Sequence, residues 1–360
     1  MFLLSKRRRR LAYKRLTSIP SGLDLFRYFI NRGIGYFLRM TGSTKVAHPS
    51  SIMLEVTNHC NLACVICPLE FELGQKMEKG FIDLDKFKKV VDEAYPYVDS
   101  VGLTGLGETF MYKQLEEAAA YVRSKSNGII MFVSINAHLP NSVEIAERVG
   151  ELVDSIQISI DGIDEVYEAI RKKSDYGIFK ENVIQICQRL KGMRAELSFN
   201  GVIYKDNYKQ MLPILELARM LDIDTVSFNS FNLVAAHSHS IEEYEFYSTT
   251  EFTDELRSAR NLAEELGIEL TTFDFDTAPG FRKCMYPWSH FYISWDGYMT
   301  PCCAKPFPQE LHFGNVFEDG LMKCLNSNGF RNFRSMWYRN ETPEFCEKCH
   351  MIELTVISEQ

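Results

Sequence analysis

Short apolar runs rich in β-branched and aromatic residues alternate with amphipathic segments along the middle of the chain. The runs lie at residues 52–56, 100–104, 129–135, 155–160, 197–204 and 225–230. Between them, apolar positions recur at helical spacing, as at Val183, Ile186 and Leu190. Strands that alternate with helices predict parallel βα units. Six units predict an α/β fold with a partial (β/α)6 TIM-like barrel, whose functional loops follow the carboxyl ends of the strands.

Composition divides the chain into four regions. Residues 1–50 predict a basic N-terminal helical extension, and residues 51–232 predict the barrel. Residues 233–280 are polar and helical in pattern and predict a bridge. From Phe281 cysteines, aromatic residues and turn residues become dense and the βα alternation stops. We therefore expect a small second domain at residues 281–360.

Charge is distributed unevenly. The first 15 residues carry seven Lys or Arg and no acidic residue, so the net charge of −8 leaves −15 on the rest. An acidic body argues against a nucleic-acid partner. The basic segment precedes an apolar stripe at helical spacing, made of Leu23, Phe26, Phe29, Ile30, Ile34, Phe37 and Leu38. We expect the stripe to pack on the barrel, since such stripes usually face a core. The alternative is a peripheral contact between residues 1–40 and an anionic membrane.

The ten cysteines are grouped, and the sequence shows neither a secretory signal nor 18 consecutive apolar residues. Grouped cysteines without a signal are typical of metal binding in the cytoplasm rather than of disulfide bonding. The expectation is a cytoplasmic protein, associated with a membrane if its N-terminal segment makes that contact.

Three cysteines lie close together after the first predicted strand, as Cys60-x3-Cys64-x2-Cys67. Three thiolates on one loop can bind three corners of an iron–sulfur cluster and leave the fourth iron open. An open metal position can bind a small chelating ligand. The alternative is a zinc site completed by His59 or a remote residue, although zinc loops favour two pairs of ligands.

This spacing resembles the signature of the radical S-adenosylmethionine (SAM) superfamily, and the resemblance extends over about residues 51–350. Ile66 stands where that family usually has an aromatic residue. The resemblance implies a [4Fe-4S] cluster that binds SAM and is reduced by a flavodoxin- or ferredoxin-type donor. It also implies reductive cleavage of SAM to methionine and a 5′-deoxyadenosyl radical, which removes a hydrogen atom from the substrate.

The segment after the second predicted strand contains Gly105, Leu106, Gly107 and Glu108. It resembles the family's Gly-Gly-Glu motif, with Leu106 for the first glycine and Thr109 for the following proline. The resemblance implies that this backbone and the Glu108 carboxylate receive the ammonium group of SAM in a charge-assisted pair. Taken alone, the segment is also compatible with a βα turn and a helix-capping glutamate.

Polar residues after the next two strands extend the resemblance. Ser134 and Asn136 follow the third strand and are expected to bond the ribose or carboxylate of SAM. Ser159 opens a Ser-Ile-Asp-Gly segment, and Arg171 follows it. This order resembles the subgroup with auxiliary clusters and implies SAM contacts from Ser159 and Arg171. The Asp161 turn alone is compatible with an ordinary βα loop.

The last predicted domain carries a second set of cysteines. Cys284 and Cys302 precede the pair Cys346 and Cys349, and four thiolates can ligate one cluster completely. The pattern resembles the SPASM/twitch extension with one auxiliary [4Fe-4S] cluster and is similar to that of radical SAM alcohol dehydrogenases. A structural zinc ribbon is the alternative. Cys303 follows a proposed ligand and is either a catalytic hydrogen donor or proton acceptor, or a packed thiol.

The resemblance implies an oxidoreductase-type radical SAM enzyme with a small-molecule or peptide substrate. We expect a two-electron oxidation of a carbohydrate or aminocyclitol alcohol, with the second electron passing to the auxiliary cluster. One alternative is a peptide-modifying enzyme, which often has a leader-binding domain for which residues 1–50 are too short and basic. Another is an epimerase that uses Cys303. A non-catalytic iron–sulfur or electron-transfer protein is the remaining class, although it would not need the Glu108 motif.

Overall fold

The computed structural model describes residues 13, 17–19, 21–233, 241–272, 284–347 and 349–350. The basic residues in the first 15 positions lie outside the described residues. Parts of the predicted bridge, at residues 234–240 and 273–280, lie outside them as well.

The strands of the described part are numbered in chain order. They are β1 Ser51–Leu54, β2 Ala63–Cys64, β3 Ser100–Gly102, β4 Ile130–Ile135, β5 Ser155–Ser159, β6 Arg171–Lys172, β7 Glu196–Ile203, β8 Thr225–Ser230, β9 Glu269–Thr271, β10 Phe291–Ile293 and β11 Met299–Thr300. Nine of them form one sheet in the order β11-β10-β1-β3-β4-β5-β7-β8-β9, and β2 pairs with β6.

Six parallel strands form the barrel. They are β1, β3, β4, β5, β7 and β8, each of which overlaps one of the apolar runs found in the sequence. Alternate side chains such as Val133, Ile135, Ile156 and Ile158 are fully or almost fully buried, because helices cover the outer face of the sheet. The predicted partial (β/α)6 barrel with a small C-terminal domain is confirmed.

Helices connect the barrel strands. The described helices are α1 Gly22–Met40, α2 Glu72–Gln75, α3 Leu84–Ala94, α4 Leu115–Lys125, α5 Ser142–Gly150, α6 Asp164–Ile170, α7 Tyr176–Arg189, α8 Met211–Met220, α9 Thr250–Leu266, α10 Tyr286–Ser289, α11 Val316–Asp319, α12 Leu321–Leu325 and α13 Asn328–Tyr338. Polar caps set their starts, as where Asp83 accepts the Lys86 N–H and Asp175 accepts the Ile178 N–H. Within the described ranges, no helix combines the length and apolarity needed to cross a bilayer.

Three short strands outside the predicted barrel, β9, β10 and β11, also join the large sheet. β10 pairs parallel with β1, and β9 pairs parallel with β8. Neither pairing was expected, because three-residue strands carry too little alternation to be recognised in the sequence. The division into residues 1–50, 51–232, 233–280 and 281–360 remains a proposal. The large sheet continues across the boundaries after residues 232 and 280, because β9 pairs with β8 and β10 pairs with β1.

Helix α1 does not pack as the sequence predicts. Its polar side contacts the barrel: the Tyr28 hydroxyl donates to Asp99 at 2.7 Å, and the Asn31 side chain bonds the backbone of His48. The large apolar side chains of the stripe are exposed, namely Leu23, Phe26, Phe29, Ile30, Ile34 and Phe37. The expectation that the stripe packs on the barrel is wrong, because helical periodicity marks an apolar face without specifying what covers it.

Candidate functional site

The cysteine loop at residues 60–67 follows β1 at the carboxyl end of the barrel strands. Its centre forms β2, which pairs antiparallel with β6 so that Cys64 lies opposite Arg171. The Val65 N–H also donates to the Ile170 carbonyl at 2.8 Å. The loop is therefore held in place by the segment that carries Arg171.

The cysteines of this loop are half-buried, and hydrogen-bond donors lie next to the sulfurs of Cys60 and Cys67. The backbone N–H groups of Leu62 and Leu69 donate to Cys60 and Cys67. The Asn136 amide nitrogen lies 3.8 Å from the Cys60 sulfur. Burial raises the pKa of Cys67 to about 12, whereas N–H donors favour the thiolate, the form that binds iron. The donors around the sulfurs fit an iron–sulfur cluster.

A single metal ion requires its ligands to converge. In the part of the chain that the structure describes, no group of three or more His, Cys, Asp or Glu side chains is arranged to hold one metal ion. A four-iron cluster binds each cysteine at a separate corner, so its ligands need not surround one point. The finding therefore does not weigh against a cluster at either cysteine set.

The turn that contains Gly107 packs directly against the cysteine loop. The Glu108 N–H donates to the His59 carbonyl at 2.8 Å. A Cβ placed on Gly107 would lie 2.5 Å from the same carbonyl oxygen, and one on Gly105 would lie 2.4 Å from the Glu55 side chain. The two glycines of the motif are thus required by close packing, which leaves the backbone of this turn beside the cysteines.

The Glu108 carboxylate is buried and ties two loops together. One oxygen accepts the Phe110 N–H at 2.9 Å, and the other accepts the Asn136 N–H at 2.6 Å. The capping role considered for this residue is therefore present. Each carboxylate oxygen can accept a second hydrogen bond, so the predicted contact with the SAM ammonium group remains a proposal.

Burial raises the pKa of Glu108 to about 7 from an ordinary 4.5, although its two backbone N–H bonds act in the opposite direction. A carboxyl whose folded pKa is raised contributes stability below about pH 4.5 that is lost as the pH rises through 7. We expect Glu108→Gln to remove a pH-dependent term on the order of 3 kcal/mol between these limits. Urea unfolding of the reduced, metal-free protein at several pH values measures it. The control Glu144→Gln alters an exposed residue and should keep the wild-type dependence of unfolding free energy on pH. The same pH dependence in the wild type and in Glu108→Gln would contradict the raised pKa of Glu108.

Arg171 forms a buried ion pair beside the cysteine loop. Its Nη2 atom lies 2.7 Å from Asp161 Oδ2, and Asp161 Oδ1 accepts the Val202 N–H at 2.8 Å. Burial lowers the pKa of Arg171, but Asp161 and Cys64 outweigh it and the pKa is raised above its usual value. The Arg171 Nε atom is buried without a hydrogen-bond partner. An unpaired guanidinium donor here fits the predicted contact with a carboxylate of SAM.

Polar side chains continue along the strands of the barrel. The Ser134 hydroxyl donates to Gln157 at 3.0 Å, and the Asn229 amide donates to Asn200 at 2.7 Å. Ser159 lies opposite Asn200 in the register. The sequence predicted the two serines as site residues, but it did not predict Gln157, Asn200 and Asn229. Their signal was present as alternating polar positions, but only the register shows that they share one face.

A buried glutamate joins the barrel to the last domain. Glu55 accepts the Tyr292 hydroxyl at 2.5 Å and the N–H groups of Leu106 and Trp295 at 3.0 and 3.3 Å. Burial raises the pKa of Glu55. Cys303 lies near Tyr292. Sequence analysis missed Glu55, because nothing local distinguishes it from an exposed residue at a strand end.

The four predicted ligands in the last domain lie together. The Cys346 thiol lies near the thiols of Cys302, Cys349 and Cys284, and the Cys349 N–H donates to the Cys346 carbonyl at 3.2 Å. Backbone N–H groups two residues further along donate to the thiols of Cys284 and Cys302. Cys303 lies at the edge of this group, near Cys302 and Cys284. The donor set fits one fully ligated cluster.

Measuring iron content distinguishes the four proposed cluster ligands from the adjacent Cys303. We expect about eight iron atoms per chain in the wild-type protein and about four in Cys302→Ala, since that variant loses one four-iron cluster. Cys303→Ala should retain about eight. A loss of iron in Cys303→Ala would instead place Cys303 among the ligands.

A cleft of about 1080 Å³ opens beside the cysteine loop. Val65 and Ile66, between the second and third cysteines, form part of its wall. Its other described lining residues are rich in aromatic and acidic side chains and include Tyr204, Asp206, Tyr208, Phe231, Tyr244, Glu245, Tyr247 and Glu251. The cleft connects the cysteine loop to the ends of β7 and β8.

Two families match the two halves of this site. Residues 54–218 match the radical SAM superfamily. Residues 284–350 match the SPASM family, described as an iron–sulfur cluster-binding domain. The first range contains the cysteine loop, Glu108 and Arg171, and the second contains the four grouped cysteines.

Curated relatives match across most of the chain. The antilisterial bacteriocin subtilosin biosynthesis protein AlbA of Bacillus subtilis is 24% identical over 89% of this chain and 68% of its own length. The PqqA peptide cyclase of Bradyrhizobium diazoefficiens is 25% identical over 83% of this chain and 79% of its own length. Both alignments extend well beyond either domain alone.

A solved structure has the same fold. Streptococcus suis SuiB bound to the precursor peptide SuiA aligns with a TM-score of 0.65 and 14% identity, covering 89% of this chain and 73% of SuiB. Its similarity supports the fold alone. The domain matches over residues 54–218 and 284–350 identify the chain as a member of the radical SAM superfamily with a C-terminal SPASM domain.

Proposed function

We propose that this radical SAM enzyme modifies a peptide, through a two-electron oxidation at one of its residues. The observation that carries the proposal is the large cleft that begins at Val65 and Ile66 of the cysteine loop. Pockets for small ligands are about 300–1,000 Å³ and enclose most of the ligand. A cleft of about 1080 Å³ that connects the cysteine loop to the ends of β7 and β8 has room for an extended segment.

The comparisons support a peptide over the expected carbohydrate or aminocyclitol alcohol. One relative is named a peptide cyclase, another belongs to bacteriocin biosynthesis, and the aligned structure of SuiB holds a precursor peptide. The basic segment at residues 1–50 counts against this substrate class only if a leader-binding domain is required. The alcohol hypothesis has no comparable support and becomes the alternative.

Bound SAM would supply a hydrogen-abstracting radical next to the cleft. In our proposal the residues around Cys60 hold and orient it: Glu108 and the turn at Gly105 and Gly107 face its ammonium group, and Arg171 faces its carboxylate. Ser134, Asn136 and Ser159 contact the ribose or carboxylate. A flavodoxin- or ferredoxin-type protein supplies the electron.

Net removal of two hydrogen atoms from the peptide requires a second electron acceptor. The cluster site at Cys284, Cys302, Cys346 and Cys349 is suited to that role, because it belongs to the domain whose β10 strand pairs with the barrel. Cys303 lies near Tyr292, which bonds Glu55 within the barrel. Because Cys303 has this position, an epimerase remains the alternative, in which the Cys303 thiol returns a hydrogen atom to the substrate.

The test uses anaerobically reconstituted enzyme, SAM and dithionite with two substrate panels. One contains small peptides encoded near the gene, and the other contains carbohydrate and aminocyclitol alcohols. We expect a peptide product lighter by two hydrogen atoms, and Phe231→Ala in the cleft should slow its formation more than it slows 5′-deoxyadenosine release. A ketone product from the alcohol panel, with no change in any peptide, would overturn the proposal.

The epimerase alternative has its own readout. If Cys303 returns a hydrogen atom, the peptide product has the mass of the substrate in ordinary water and gains one deuterium in deuterated water, and Cys303→Ala removes that label. Loss of two hydrogen atoms without solvent deuterium in the product would exclude it.

A further inference from the structure

Helix α1 carries a large apolar surface that faces away from the protein. Eight large apolar side chains on this one helix are between 45% and 69% exposed: Leu23, Phe26, Phe29, Ile30, Ile34, Tyr36, Phe37 and Met40. Other exposed apolar residues of the described chain, such as Ile178 and Met220, are scattered over different elements. A contiguous exposed patch marks an interaction surface, whereas scattered residues need no explanation.

The eight side chains form one continuous face. At 100° per residue they fall within an arc of roughly 160°, interrupted only by glycine. Four of the eight are aromatic, at positions 26, 29, 36 and 37. This arc is wider than the narrow seam that a helix pair buries in a coiled coil. It matches a helix immersed to about half its circumference in a flat apolar layer.

The orientation of the helix is fixed by polar contacts on its other side. The Arg32 guanidinium forms an ion pair with Asp99 and also donates to the Tyr97 carbonyl. The Tyr28 hydroxyl donates to Asp99, and the Tyr95 hydroxyl donates to Asp24 at 3.0 Å. These contacts hold the polar side on the barrel, so the apolar face is turned outward by specific bonds.

Charge around the helix favours an anionic partner. The first 45 residues contain eleven Lys or Arg and one acidic residue, Asp24, although the chain as a whole has a net charge of −8. Among the described cations, Arg27 lies at the border of the apolar face, and Lys45 is exposed shortly after the helix ends. Basic residues near an anionic bilayer surface each add attraction to it.

We propose that α1 lies in the surface of an anionic lipid bilayer, with its apolar face among the acyl chains and the flanking Arg27 and Lys45 among the headgroups. The helix contacts Asp99, directly before β3, and therefore lies at the amino ends of the barrel strands. The cysteine loop lies at their carboxyl ends. The bound enzyme would keep its cleft directed away from the membrane and accessible from the aqueous phase.

The test is flotation of the full-length holoenzyme with vesicles. We expect the wild-type protein to float with phosphatidylglycerol–phosphatidylcholine vesicles. Binding should be several-fold weaker to pure phosphatidylcholine vesicles, which carry no net charge. It should also be several-fold weaker at high salt, since screening weakens the attraction of the cations to the anionic surface. Phe26→Asp/Ile30→Asp/Phe37→Asp should reduce flotation about ten-fold or more. The matched control is Ile178→Asp/Met220→Asp, which places charges at exposed apolar positions elsewhere and should float like the wild type.

Both variants should retain wild-type iron content and 5′-deoxyadenosine formation, because they alter exposed positions away from the site. Wild-type protein that does not float with anionic vesicles would overturn the proposal, as would equal flotation of the triple variant. Equal binding to neutral vesicles would overturn the anionic preference. A dimer that the triple variant dissociates, without vesicle binding by either protein, would assign the face to a second copy of the chain.

Discussion

Cys64→Ser is expected to abolish 5′-deoxyadenosine formation from SAM. The substitution removes one of three thiolates on the loop and leaves two ligands for the cluster that binds SAM. Cys64 is also the residue of β2 that pairs with Arg171, so the substitution lies where the loop is held by backbone pairing. Iron analysis and quantification of 5′-deoxyadenosine under anaerobic conditions measure the effect.

The matched control for Cys64→Ser is Cys187→Ser. Cys187 is a partly buried thiol on α7 that packs against the apolar core. Its variant should keep wild-type iron content and SAM cleavage. Retained SAM cleavage in Cys64→Ser would contradict the assignment of this loop as the SAM-binding cluster site.

Asp161→Ala is expected to cost about 3–5 kcal/mol of unfolding free energy, because it leaves the buried Arg171 guanidinium without its counter-ion. Asp161 is 1% exposed and also accepts the Val202 N–H. Since Arg171 lies in the strand that pairs with β2, the change should displace the cysteine loop and lower SAM cleavage as well. Urea unfolding and the rate of 5′-deoxyadenosine formation provide the two measurements.

Two further variants test whether the loss of stability comes from breaking the Asp161–Arg171 ion pair. Asp161→Asn keeps the acceptor for Val202 and should lose less stability than alanine. Glu165→Ala changes an exposed carboxylate on the adjacent helix α6 and should stay within about 0.5 kcal/mol of the wild type. Equal losses in Asp161→Ala and Glu165→Ala would show that the Asp161–Arg171 pair does not stabilise the loop.

The barrel could be predicted from the sequence because its strands carry a local signal. Apolar runs of the right length at residues 129–135 and 225–230 became β4 and β8. The spacing of the cysteines indicated two groups, and the members of each group lie near one another in the structure. What could not be predicted depends on contacts between distant segments. The Glu55–Tyr292 bond joins residues far apart in the chain, and β6 pairs with β2 over only two residues.

Helix α1 illustrates a different limit of sequence analysis. Its periodicity predicted a helix with an apolar face, and the structure contains that helix. The direction of the face depends on polar contacts such as those of Tyr28 and Arg32 with Asp99, which do not appear in the pattern. A pattern identifies an apolar surface, but the tertiary contacts decide whether protein or an external partner covers it.

We assign the cysteine loop at residues 60–67 as the SAM-cleaving centre of a radical enzyme. The most direct test of this assignment is anaerobic incubation of reconstituted protein, with two clusters verified by iron analysis, with SAM and dithionite. We expect equal amounts of 5′-deoxyadenosine and methionine from the wild type, and neither product from Cys64→Ser. Fully loaded wild-type protein that forms no 5′-deoxyadenosine, with or without a candidate peptide, would contradict the assignment.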